Sequence, residues 1–347
     1  MSKWLKYLFS VVIISFFVFL IFIWQWLSFL HAPMINANQQ PIQYVYSKHT
    51  PVKVLAQDLH KKGLLAKPLF FILLAHITGN TRNLQAGQYQ LTPGITPAQL
   101  LQKIVTGKVV LHAFTIVPGW TFKRVIVQLE RNKYLSHSLK GANNDQIMQK
   151  LGYPGEIPEG RFLPNTYKFG ANTADTDVLI AAYNLMQNEL TRAWTGRDKS
   201  LPYSCKYKTL IVASIIEKEA GIKSERPVIA GIIAKRLKNN MYLQMDPTLI
   251  YGLGDAFKGK LTNDDLKLNT AYNTYLNKGL PPTPICMPSA NAILSALHPT
   301  KTSYLYFVAK GDGSHDFSAT LTDHNAAINK YLLNNIKQKK RIKKHVK

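Results

Sequence analysis

The sequence predicts an α+β protein: an N-terminal transmembrane helix, a small first module, and a larger mixed α+β domain. Three observations predict it. Residues Tyr7 to Leu30, "YLFSVVIISFFVFLIFIWQWLSFL", contain no charged side chain. Short strand-like stretches then alternate with amphipathic helical ones as far as about residue 110. Beyond that, long apolar helical stretches are separated by loops rich in Pro, Asn and Gly. The 347 residues exceed one ordinary domain, and 46% hydrophobic with 11% aromatic content supplies cores.

The apolar run over residues 7–30 is long enough to cross about 30 Å of hydrocarbon at about 1.5 Å per residue. Trp4, Trp24 and Trp26 suit the two interfaces, and Lys3 and Lys6 precede the run. A cleaved signal peptide would have a shorter apolar core, ending in a small-residue cleavage site. The run therefore reads as a single-pass anchor. Residues 1–6 are expected in the cytoplasm and everything after His31 outside. The polar stretch over residues 31–42, "HAPMINANQQPI", reads as a linker.

The first module is expected over residues 43–110. "TPVKVLAQDLHKKGLL" opens with Thr50-Pro51, carries Val52, Leu55, Leu59 and Leu64, and breaks at Gly63. "ITPAQLLQKIVTG" repeats the scheme from Thr96-Pro97 to Gly107, with Leu100, Leu101 and Ile104 on one face. Between them Gly87 and Pro93-Gly94 bracket the alternating strand "QYQL". A third, looser copy, "GWTFKRVIVQLERNKYL", follows the strand "AFTIV". The module therefore reads as two packed helices with short strands. It carries no reactive cluster, so binding is its expected role.

The second domain is expected over residues 111–333. Helices are predicted near residues 176–193, 206–220, 225–239 and 289–297, around a modest sheet. A hairpin should turn at Gly311-Asp312-Gly313, and a last helix should run over about residues 323–336. Residues 334–347 form a basic tail.

Chemistry is suggested by "YKTLIVASIIEKEAG". It is apolar nearly all round from Leu210 to Ile216, which marks a helix buried on most sides. Glu217 lands on the end of that run. At about 100° per residue it shares a face with Leu210, Ala213 and Ser214, whereas Glu219 lies about 200° away. Desolvation and the negative end of the helix dipole both disfavour a charged carboxylate at Glu217, as a proton donor requires. The competing reading is a surface glutamate at a frayed helix end.

The surroundings favour the donor. "LQMDPTLIYG" places Gln244, Asp246 and Tyr251 on a strand or loop, and "AYNTYLNKGLPPTPICMPS" adds Asn273 and Tyr275. Tyrosine faces with amide groups suit sugars. Asp246 is the rival carboxylate, although "DPT" is also a turn and cap arrangement. Glu159 in "PEGRF" reads as a turn cap. His298, His315 and His324 lack metal-ligand spacing, and neither a metal nor any other cofactor is expected. "GDGS" has neither the length nor the context of a phosphate-binding loop.

The net charge is +24, from 43 Lys and Arg against 19 Asp and Glu. A basic tail usually suggests nucleic acid, but the anchor topology puts this one across the membrane from it. A solvated tail, or contact with anionic lipid or wall polymer, fits better. Cys205 and Cys286 are too few for a disulfide framework and read as unpaired thiols.

Several motifs carry a resemblance. "ASIIEKEA", "LQMDPTLIYG", "TAYNTYLNKGLPPTPICMPS", "ALHPTKTSYLYFVAKGDGSHDFS", "EGRFLPNTY" and "LQAGQYQL" occur in the order seen in the endolytic murein transglycosylases of the MltG (YceG-like) family. The chain resembles that family from the anchor to about residue 333. The resemblance implies an inner-membrane single-pass protein, with a LysM-like subdomain and a catalytic domain on the periplasmic side. It implies cleavage of the β-1,4 bond between MurNAc and GlcNAc inside nascent peptidoglycan strands, leaving 1,6-anhydroMurNAc ends and so ending glycan elongation. The family's catalytic glutamate is expected at Glu217, with Gln244, Asp246, Tyr251, Asn273 and Tyr275 as substrate contacts. Peptidoglycan strands, membrane lipids around the anchor and a peptidoglycan synthase are the expected partners. The chain departs from the family at Gly119-Trp120, where an acidic residue is usual, and in Cys286 and the basic tail. Two other readings stay open: a hydrolytic muramidase using Asp246 as second carboxylate, and a catalytically silent wall-binding scaffold.

Overall fold

The computed structural model describes residues 3–47 and 49–333. The basic tail over residues 334–347 lies outside the described residues, as does the start of the expected cytoplasmic N-terminus. Two compact units are present. One takes the chain up to His112 together with Lys168–Thr173, and the other takes Ala113–Tyr167 and the chain from Ala174 onward.

In the first unit α1 (Lys3–His31) is followed by β1 (Ile42–Tyr46), α2 (Val52–Lys61), α3 (Pro68–Ile77), β2 (Gly87–Leu91) and α4 (Pro97–Val105). β1 and β2 pair antiparallel with Tyr44 opposite Tyr89. The order from β1 is thus strand, helix, helix, strand, followed by α4. α4 starts where Thr96 Oγ1 accepts the Gln99 N–H and the Gln99 side chain accepts the Thr96 N–H, a reciprocal cap. Its Leu100, Leu101 and Ile104 then join Leu55, Leu59, Phe71 and Tyr89 in the core. α3 was not legible in the sequence, because "PLFFILLAHI" is apolar on almost every side and shows no period. Within the mostly exposed stretch over residues 31–42, expected as a linker, Met34 and Ile35 are packed. Ile35 is 1% exposed, the Met34 N–H donates to the Ile95 carbonyl at 2.7 Å, and Gly94 N–H donates to that of Ile35 at 2.9 Å.

Next along the chain come β3 (Leu111–Thr115), α5 (Phe122–Glu130), β4 (Leu135–Ser136), α6 (Asn144–Lys150), β5 (Thr166–Gly170) and β6 (Thr173–Ala174). The bulk of the second unit is α7 (Asp175–Thr195), α8 (Lys206–Glu219), α9 (Arg226–Lys238), α10 (Asp246–Leu253), α11 (Ala290–Leu297), β7 (Tyr306–Ala309), β8 (His315–Ser318) and α12 (Leu321–Ile328). Among the described residues every sheet has two strands, so the expected modest sheet is replaced by helix-on-helix packing. α8 is the hub, packed by α7, α9, α10 and α11. Each residue from Leu210 to Ile216 is no more than 3% exposed. Each large aliphatic side chain so buried contributes about 1.5–3 kcal/mol. "DPTLIYG", expected as strand or loop, is helical: Pro247 in the first turn of α10 lacks an N–H that would be unpaired there in any case. The last helix starts earlier than expected, because Thr320 caps it by accepting the Asp323 N–H. Both cysteines are free, Cys205 exposed and Cys286 buried.

Close approach fixes one glycine. A Cβ on Gly231 of α9 would lie 2.2 Å from the Thr300 carbonyl oxygen, in a segment tied to α9 by the Thr300 N–H bond to Pro227, 2.9 Å long. Gly231→Ala should therefore destabilise the protein by about 1–3 kcal/mol through overpacking, read as a lowered thermal midpoint of the full-length chain.

Candidate active site

The last turn of α8 carries Glu217, Lys218 and Glu219, and the two acids go to opposite sides as the helical period requires. Glu217 Oε1 accepts from Arg226 Nη2 at 2.7 Å. Its Oε2 accepts the Ser289 N–H at 3.0 Å and the Ser289 hydroxyl at 2.5 Å. The two charged side chains are only 6% and 7% exposed. The dipole and desolvation argument from sequence lacked Arg226, which comes from α9, and Ser289, which caps α11. Glu217 thus ties three helices together, with both oxygens occupied.

Glu219 points the other way, into a cavity of about 590 Å³. Among the described residues no hydrogen bond to its carboxylate is formed. Burial, reinforced by the negative charge of Asp246, pushes its carboxyl up to about 8. Gln244, Asp246, Tyr275, Arg236, Tyr306 and His315 also line the cavity. Gln244 adopts a positive φ of 54°, uncommon for a residue with a side chain, and its N–H donates to the Thr274 carbonyl at 3.1 Å. Arg236 donates to the carbonyls of Leu305, Tyr242 and Leu243 and to Gln244 Oε1, and it lies 5.1 Å from the centre of the Tyr306 ring. The Tyr275 hydroxyl donates to Asp246 Oδ1 at 2.5 Å. His315 donates its N–H to Glu225 Oε1 at 3.0 Å, and its ring Nδ1 lies 2.7 Å from Glu225 Oε2. With a carboxylate as partner that nitrogen carries the hydrogen, which orients the ring and leaves Nε2 available.

Comparison with known proteins places this arrangement in context. The profile of the YceG-like family matches residues 45–330. The chain belongs to the YceG-like family. An endolytic murein transglycosylase of Bacillus subtilis is 32% identical over 302 residues, covering 81% of this chain and 82% of that one. An endolytic murein transglycosylase of Streptococcus pneumoniae is 27% identical over 311 residues, covering 80% of this chain but 56% of that longer one. The crystal structure of a YceG-like protein from Listeria monocytogenes aligns with a TM-score of 0.51 at 28% identity, over 84% of this chain and 100% of that one.

Of the residues expected from sequence in this YceG-like chain, Gln244, Asp246 and Tyr275 share the Glu219 cavity. Tyr251 lines a second cavity of about 640 Å³ and donates to Glu159 Oε2 at 3.1 Å. Asn273 is fully buried. Its amide donates to the Leu266 and Leu268 carbonyls, and its Oδ1 accepts the Tyr275 N–H, so it shapes the loop from inside, out of a substrate's reach. Glu159 lines the same cavity as Tyr251 and also caps the start of α5, accepting the Phe122 N–H at 3.0 and 3.2 Å. Burial outweighs those hydrogen bonds and pushes it up to about 7. Arg236, Tyr306 and the Glu225-oriented His315 were not expected at the site. Only the tertiary contacts bring them to Glu219. Among the described residues no group of three His, Cys, Asp or Glu is placed to hold a metal.

The two acids should respond oppositely to neutralisation. Glu217→Gln leaves the buried Arg226 charge uncompensated and should cost about 3–5 kcal/mol. For Glu219 the folded state binds its proton more tightly than the unfolded chain, whose carboxyl titrates near 4.5. The stability this proton supplies is full below about 4.5 and lost as pH rises through about 8. Glu219→Gln should therefore raise the thermal midpoint, more at pH 8 than at pH 5, in scans of both variants against the parent protein.

Proposed function

We propose that this chain is a membrane-anchored endolytic lytic transglycosylase of peptidoglycan, with Glu219 as its acid and base. The observation that carries this reading is Glu219: a carboxyl aimed into a cavity, unpaired among the described residues and protonated near neutral pH. The names of the relatives at 32% and 27% identity support the substrate and the reaction.

In this mechanism Glu219 donates its proton to the glycosidic oxygen linking MurNAc C1 to GlcNAc C4. The C1–O bond breaks as positive charge develops on the muramyl ring. Asp246, held by the Tyr275 hydroxyl, lies in the same cavity and stabilises that charge. The muramyl C6 hydroxyl attacks C1, and its proton passes to the Glu219 carboxylate, which restores the acid. The nucleophile is tethered to the reacting centre, so no water and no second nucleophilic carboxylate is needed. Tyr275 offers a ring face to sugar, and Gln244 offers an amide held by Arg236.

The helix Tyr7–His31 is long and apolar enough to span a bilayer, which supports an anchor with residues 1–6 inside and the remainder on the periplasmic side of the inner membrane. The strand–helix–helix–strand order supports a LysM-like first module that holds glycan strands. Cutting strands within nascent wall would bring the enzyme beside the synthases that extend them. A hydrolytic muramidase is the second reading, because Asp246 shares the cavity with Glu219 and could activate water.

Full-length protein in detergent, incubated with uncrosslinked glycan strands, should yield anhydro-muramyl ends by mass spectrometry. Glu219→Gln should lose at least about 100-fold in rate, the low end of general acid–base contributions. Glu217→Gln at a temperature where it stays folded should keep most activity. Loss of activity by Glu217→Gln alone would return the acid to Glu217, and reducing ends from the parent protein would establish the muramidase. The rate should also fall as pH rises through about 8, where Glu219 loses its proton.

A further inference from the structure

One side of α3 has no protein partner among the described residues. Leu69, Leu73 and Ile77 recur at i, i+4 and i+8 and are 76%, 37% and 67% exposed. At helical spacing they form a single apolar stripe. Phe71, Leu74 and Ala75 on the other side are buried in the core of the first unit. Exposed apolar stripes of this kind mark an interaction surface.

The contacts of α3 with α1 say what covers the stripe. The Phe70 ring lies 5.7 Å from that of Phe22, 5.6 Å from Trp26 and 5.6 Å from Phe29. Lys67 Nζ donates to Gln25 Oε1 at 3.0 Å. These contacts fix the level of α3 along α1. From Tyr7 to Trp26 the helix rises about 29 Å, close to the thickness of a hydrocarbon core. Phe70 therefore meets α1 where hydrocarbon gives way to headgroups, the level that Trp26 itself prefers. α3 rises only about 15 Å, too short to cross a bilayer and long enough to lie in its surface. Met34 and Ile35, bonded to Ile95 and Gly94, tie the chain leaving α1 to the module, so that it does not drift away as on a free tether.

We propose that α3 is an interfacial helix, its Leu69–Leu73–Ile77 stripe immersed in the acyl–headgroup boundary of the bilayer that α1 crosses. The proposal rests on the anchor reading of α1. Lys67 at the start of α3 and His76 beside the stripe lie at headgroup level, and the exposed Lys61 just upstream adds attraction to anionic lipid. The first unit is then held to the membrane by two elements, the spanning helix and a flat one.

The test uses full-length Cys205→Ser protein, the buried Cys286 being retained, in phosphatidylethanolamine–phosphatidylglycerol vesicles. An environment-sensitive dye is placed in turn at Leu69→Cys, Ile77→Cys and, within the span, Phe16→Cys. The labels at positions 69 and 77 should emit blue-shifted light and be quenched by lipids brominated on the acyl chains, as the label at position 16 is. Quenching of the 69 and 77 labels by aqueous iodide and not by brominated lipid would put the stripe in water and overturn the proposal. Shielding from both quenchers would mean that protein covers the stripe, and would overturn it equally. A label at position 16 that escapes brominated lipid would overturn the anchor reading itself, and the proposal with it.

Discussion

The buried pair between Glu217 and Arg226 is the contact that holds the end of α8 in place. It closes the end of α8 against α9 and the cap of α11, with Ser289 bonded to the second carboxylate oxygen. A helix end held at that point has its next acid, two residues on, committed to the opposite side. There, among the described residues, it meets no donor, only the cavity wall and the charge of Asp246.

The cost of keeping Glu219 unpaired is met by the rest of α8. A carboxyl facing a cavity with no partner among the described residues is unfavourable when charged, and the apolar run from Leu210 to Ile216 holds the helix that carries it. The same desolvation that weakens the fold at alkaline pH keeps the proton on the acid near neutrality. The charge of Asp246 raises the proton affinity of Glu219, and in the proposed mechanism the same charge opposes the positive charge that develops on the sugar. The Tyr275 hydroxyl keeps Asp246 oriented, and Arg236 gathers three carbonyls and Gln244 on another wall, so the polar groups are set before substrate arrives.

In the first unit the corresponding constraint is apolar. The chain that leaves α1 is tied to the module that follows it. Phe29 and Ile35 enter the module core, and Phe70 sits among three aromatic rings of α1.

Much of this protein was determined by local sequence. The uncharged run over residues 7–30 settled a membrane-length helix, Thr96 with Gln99 and Thr320 settled helix starts, and the period of "TLIVASII" settled that α8 is buried and that its two acids diverge. The family was legible in the order of its motifs. What the sequence could not decide was which of the two acids is free. Helical period says that Glu217 and Glu219 face apart, but not which side is closed, because Arg226, Ser289, Asp246 and His315 come from other elements. Asn273 shows the same limit: an Asn among tyrosines reads as a sugar contact until its amide is seen bonded to buried carbonyls. α3 escaped because a helix apolar on both sides has no period. Only packing shows that one side meets protein and leaves the other open.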